Sequence, residues 1–113
     1  MEITRTDSGG RPTLRFAGEF PGAQAPAMRS RVRELVGDPP MPTDFDLSAV
    51  ESMDGSAMAV LLQLRAALAD EGAPVRVSGA RDAVARLYDL YETAERRPSP
   101  VARPVEIGTI EQV

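Results

Sequence analysis

Apolar and polar positions alternate with a period of two at the start of the chain. Met1 to Asp7 places Ile3 between polar neighbours, and Thr13 to Gly18 places Leu14 and Phe16 on one face. That period is the signature of a half-buried strand. Ser8-Gly9-Gly10 between them is a turn signal, so the two segments are predicted as an antiparallel hairpin. The period then changes. Over Gly22 to Val36, Met28, Val32 and Leu35 fall at i, i+4 and i+7, with Pro26 in the first turn and Gly37-Asp38-Pro39-Pro40 as a stop. A proline there is tolerated because the first-turn N–H has no helical partner in any case. Phe45-Asp46-Leu47, with Val50, predicts a short strand leading into a loop. A second helix is predicted from Gly55 to about Asp70, ended by Gly72-Ala73-Pro74, then a strand at Val75 to Ser78 and a third helix from Asp82 to Glu92.

The order β-β-α-β-α-β-α implies an α/β domain with a mixed sheet covered mainly by helices. From Arg96 the composition shifts. Pro98, Pro100 and Pro104 mark a linker, and Val105 to Ile110 is apolar again. The division expected is therefore one domain over residues 1–95 and a Pro-rich segment over 96–113.

Composition narrows the chemistry. A chain of 113 residues holds one core, and with aromatics at 4% and no Trp that core must come from Leu, Val, Ile, Ala and Met. There is no Cys, hence no disulfide framework and no thiol nucleophile. There is no His, which removes the usual general base near neutral pH and the commonest transition-metal ligand. All 13 basic residues are Arg, so a lysine Schiff base or a P-loop lysine is excluded as well. The carboxylates Asp44, Asp46, Glu51 and Asp54 are the remaining acid/base or Mg²⁺ candidates, but four acids among 17 call for no special explanation. The expectation is a protein that is not an enzyme, with no cofactor and no metal. The net charge of -4 without a basic stripe argues against nucleic acid. No apolar run reaches the roughly 18 residues that cross a bilayer, and Met1 to Arg5 lacks an apolar signal-peptide core, so a cytoplasmic location is expected.

The informative segment is Phe45 to Leu62. Asp54 stands where an N-cap would, and Gly55, Ser56 and the next residue carry the first free N–H groups of the second helix. With the macrodipole they form an anion-favouring spot, in which a phosphate on Ser56 would be accommodated. Local physics alone favours the plainer reading, in which Asp54 is only an N-cap and Ser56 only a polar first-turn residue. Along this helix Met58, Leu61, Leu62, Leu64 and Leu68 make the side that packs on the sheet. Ser56, Ala59, Gln63, Ala66 and Asp70 make a small, weakly charged outer stripe that a partner surface could approach closely. The competing reading is that Ala is simply the best helix former.

Asp46-Leu47-Ser48, then Met53-Asp54-Gly55-Ser56 and an apolar helix ending at Gly72, resembles the STAS domain pattern. Phe16-Ala17-Gly18-Glu19-Phe20, Gly72 to Gly79 and Val84 to Tyr91 resemble that family's second strand, its Gly–strand–Gly segment and its closing helix, so the likeness covers about residues 2–93. It implies the anti-sigma factor antagonist-like fold, a mixed sheet of four to five strands with helices mainly on one face, and a role in docking onto a protein. In anti-sigma factor antagonists of this family the phosphorylated Ser directly follows the Asp. Here that position is Gly55, Ser56 takes the second hydroxyl position and Ala57 replaces a Gly. The chain is more similar to the STAS domains of Mla-type phospholipid ABC transporters, through Asp54-Gly55-Ser56-Ala57, Ala59-Val60-Leu61-Leu62 and Leu87-Tyr88-Asp89-Leu90-Tyr91. That likeness implies an ABC ATPase subunit as partner, with the tail leading into a permease. The alternative is an anti-sigma factor kinase as partner, with Ser56 as phosphoacceptor. A homodimer through the edge of the first strand is a further expectation, opposed by the Arg and Glu that blunt that edge.

Overall fold

The computed structural model describes residues 1–7 and 9–96. Ser8 of the predicted turn and the segment 97–113 lie outside the described residues. The elements are β1 (Glu2–Thr6), β2 (Thr13–Phe20), a 3-10 turn (Gly22–Gln24), α1 (Ala25–Val36), β3 (Thr43–Met53), α2 (Gly55–Asp70), β4 (Val75–Ser78) and α3 (Asp82–Arg96).

The sheet order is β1-β2-β3-β4. β1 and β2 form the antiparallel hairpin, with Ile3 opposite Phe16, while β2–β3 and β3–β4 are parallel. Parallel neighbours need a crossover, and α1 and α2 supply the two crossovers. Among the described residues the sheet therefore has four strands, the lower of the expected numbers. Ile3, Leu14, Phe16, Phe45 and Leu47 are buried on one face. Met28, Val32, Met58, Leu61, Leu68 and Val84, from all three helices, join them in the same core. The opposite face is polar, with Thr4 and Arg15 exposed and Asp44 and Asp46 half-buried. Contrary to the expectation from the low aromatic content, the core is not purely aliphatic: three fully buried phenylalanines bridge the central strands, with Phe16 5.2 Å from Phe45 and 5.8 Å from Phe20, ring centre to ring centre, both pairs tilted. That offset geometry suits the ring quadrupoles.

Two elements are longer than the sequence pattern implies. β3 continues to Met53, so the loop expected after Val50 is strand. The alternation that should have shown this is broken twice: buried Leu47, Val50 and Met53 are spaced by three. Register shifts between Arg15 and Ala17 and between Gly18 and Glu19 of β2 show that β3 takes up extra residues there. A bulge rotates the following side chains by one position, which hides a strand from a period-two reading. α3 runs on to Arg96, past the Glu92 expected from its apolar positions, and includes the residue at which the Pro-rich segment was expected to start. α1 begins three residues later than predicted because Gly22–Gln24 is a 3-10 turn.

The ends of α1 and α2 are closed by identifiable groups. Arg5 of β1 donates to the Leu35 carbonyl at 2.7 Å, placing a cation at the C-terminus of α1. α2 ends in a Schellman motif: Ala73 N–H donates to Leu68 O at 2.8 Å and Gly72 N–H to Ala69 O at 3.1 Å, with Gly72 at φ 84°. Ala73, fully buried, supplies the apolar contact that accompanies this motif.

Candidate functional site

β3 delivers the chain to α2 through a single residue, Asp54. Asp54 N–H donates to Phe20 O at 3.0 Å, and its carbonyl accepts Met58 N–H at 2.9 Å as the first helical bond. It occupies the N-cap position with extended backbone, φ -73° and ψ 158°. Its carboxylate does not cap its own helix, which corrects the simplest expectation for this residue. Instead Oδ2 accepts the Gly22 N–H at 2.8 Å. The side chain thus ties the start of α2 to the turn that opens α1. Ser56 also approaches Gly22 closely. A methyl group on the Gly22 Cα would overlap the Ser56 hydroxyl and lie 3.6 Å from Asp54 Oδ2.

Gly55, at the position of the family's phosphorylated serine, is similarly enclosed. A Cβ there would come within 2.5 Å of the Tyr91 hydroxyl oxygen of α3. The start of α2 is therefore flanked by Gly22 on one side and Tyr91 on the other. Sequence reasoning singled out Asp54, Gly55 and Ser56. It missed Gly22 and Tyr91, which are 32 and 36 residues away from Asp54 and Gly55 and are brought there by packing alone.

The outer stripe of α2 is accessible at Ser56, Gln63, Ala66 and Asp70, whereas Ala59 is half-buried. Gln63 is not isolated: its Oε1 accepts a long bond, 3.4 Å, from Arg29 of α1. On the other flank, Arg65 donates to Glu92 of α3 at 2.8 Å and to the Tyr88 hydroxyl, and its guanidinium lies 5.8 Å from the centre of the Tyr88 ring. Burial is the main cause that pushes the Tyr88 phenol above its usual range.

The carboxylates weighed for acid/base work are engaged otherwise. Arg76 grips Asp44 at 2.9 and 3.1 Å, with Arg11 at 3.1 Å behind it, and the Arg76 hydrogen bond holds its pKa below the ordinary value. Asp46 accepts the Ser48 N–H at 2.9 Å, and that backbone bond lowers its pKa too. Both are held ionised, the opposite of what a general acid near neutral pH needs. Glu51 is exposed. Among the described residues no three acids cluster as a metal site, and no helix is long and apolar enough to cross a membrane.

A mixed four-stranded sheet, helices on one face and a central helix started by an Asp-Gly-Ser turn define a small α/β domain of the anti-sigma factor antagonist-like fold. A family model described as Mlab, STAS domain matches residues 3–97, and the chain belongs to the STAS domain family. No curated protein matches the sequence. Among solved structures, the chain is similar to the antisigma-factor antagonist STAS domain from Rhodobacter sphaeroides, at 22% identity and a TM-score of 0.59, covering 69% of this chain and 85% of that one. It is also similar to the anti-sigma factor antagonist SpoIIAA in its unphosphorylated form, at 10% identity and a TM-score of 0.61, over 79% and 83% of the two chains. A structure of Mglu matches at 18% identity and a TM-score of 0.59 over 72% of this chain, which spans only 20% of that one. At these identities the structural likeness speaks for the fold.

Proposed function

We propose that this STAS domain is a non-enzymatic docking module that binds the ATPase subunit of a Mla-type ABC lipid transporter, as a standalone subunit or as the cytoplasmic N-terminal part of the permease. The observation that carries the reading is Gly55. It has no hydroxyl to phosphorylate, and a side chain added there would run into the Tyr91 hydroxyl. A surface that is not switched at that position serves a standing contact better than a cycle of release. The exposed residues Ser56, Gln63, Ala66 and Asp70 give a partner a low-relief helix face, and the matched family model supports the same assignment. In the permease version the tail after Arg96 would join the domain to the membrane part.

The second reading, an anti-sigma factor antagonist that binds an anti-sigma factor kinase, rests on Ser56, whose side chain is exposed beside Gly22. Calorimetric titration of the cognate ATPase subunit separates the two. The wild-type domain is expected to bind. Ala66→Glu is expected to weaken binding at least tenfold with little change in folding, since exposed substitutions usually fall within about 0.5 kcal/mol. No heat of binding with the ATPase, together with phosphate on Ser56 after incubation with the kinase and ATP, would transfer the assignment to the second reading.

A further inference from the structure

α1 and α2 pack side by side and leave a groove open to solvent. Arg29 lines both halves of it: a cleft of about 330 Å³ with Ala25, Pro26 and Val60, and one of about 190 Å³ with Gln63 and Leu64. The floor is apolar, since Ala25 and Leu64 are buried core residues and Val60 packs against the core from a half-buried position. Two neighbouring helical walls over an apolar floor are a setting in which a third helix can lay its ridge.

The charge in the groove is specific. α1 carries three arginines. Arg31 pairs with Glu34 at 2.8 Å, and Arg33 grips Glu71 with two bonds of 2.8 and 2.9 Å. Arg29 makes only the 3.4 Å bond to the Gln63 amide oxygen, and among the described residues no carboxylate pairs with it. A guanidinium is a planar fork suited to a carboxylate, and a neutral amide oxygen at that distance leaves most of its donors for another partner. Arg29 is the cation common to both clefts, so an acidic side chain entering the groove would meet it.

We infer that the α1–α2 groove seats an amphipathic helix of the partner protein, whose apolar side chains enter the two clefts and whose carboxylate pairs with Arg29. This rests on the docking role proposed above and names the element that docks. The partner's exposed helix is expected to carry an Asp or Glu flanked at helical spacing by small or aliphatic residues.

Titrating the cognate ATPase subunit with Arg29 variants tests it. Arg29→Glu is expected to weaken binding at least tenfold, and Arg29→Lys, which keeps the charge and loses the fork, by less. Thr4→Glu, on the open sheet face, is expected to bind as wild type. Arg29 is exposed, so thermal melts of its variants should match wild type and exclude misfolding as the cause. Wild-type affinity in Arg29→Glu, with the wild-type domain binding, overturns the groove and leaves the docking role standing. A wild-type domain that does not bind the ATPase overturns the docking role and the inference with it. A domain that sediments as a dimer which Arg29→Glu dissolves makes a second copy the occupant, which also overturns it.

Discussion

Gly72 and Gly79 share a backbone φ of 84° and flank the same strand, yet they should respond differently to a methyl group. At Gly72 an added Cβ meets nothing within 4 Å. Gly72→Ala therefore carries only the penalty of a left-handed L-residue, about 1 kcal/mol. At Gly79 the same Cβ would lie 3.0 Å from Ser48 N, 3.1 Å from Ser48 Cβ and 2.8 Å from Asp46 Oδ1. Those atoms cannot easily yield. Ser48 N is the backbone of the central strand, and the Asp46 carboxylate is held by its 2.9 Å bond from that same N–H. Overpacking against such a neighbourhood adds about 1–3 kcal/mol, so Gly79→Ala should lose about 2–4 kcal/mol in all. For a domain of this size 1 kcal/mol corresponds to about 4–8 °C, which puts the two variants on the order of 10 °C apart. Urea unfolding followed by circular dichroism, with calorimetric melts alongside, measures both. Equal losses to within about 0.5 kcal/mol would show that the approach of Gly79 to the Asp46–Ser48 bend plays no part and would refute the reasoning.

Leu61→Ala and Leu68→Ala, at fully buried positions on the sheet-facing side of α2, should each cost about 2–5 kcal/mol in urea melts. Gly55→Ala should fail to show the gain of up to about 1 kcal/mol that a helix normally gives to Ala over Gly. It should recover that gain in a Tyr91→Phe background, which removes the oxygen in its way, a coupling read directly from a double-mutant cycle. Asp44 and Asp46 both have folded pKa values below their ordinary 3.8. The stability they contribute is thus complete above the unfolded value and is lost as pH falls through the lower folded ones. Unfolding free energy should accordingly decline in acid, below about pH 4, and Asp46→Asn should flatten that decline in an acid titration.

Local pattern determined most of the elements of this protein. The hairpin alternation around Leu14 and Phe16, the i, i+4 spacing of Met28 and Val32, the Gly72 stop and the strand Val75–Ser78 are all properties of neighbouring residues, and short-range sterics and amphipathicity are enough to set them. The absence of His, Cys and Lys likewise limited the chemistry before any geometry was known. Tertiary structure decided what lies beyond the reach of a local period. β3 remains a strand through its bulges because β2 holds it there, and pairing with a neighbouring strand leaves no trace in the spacing of its own apolar residues. The Asp54 carboxylate turns from its own helix to Gly22 because packing brings that N–H within 2.8 Å. The groove exists because α1 and α2 meet side by side, and there Arg29 faces the neutral Gln63 amide while Arg33 faces Glu71. The start of α2 was thus visible as the motif Asp54-Gly55-Ser56, while Gly22, Tyr91 and Arg29 around it belong to contacts between segments far apart in the chain, which only the folded packing can bring together.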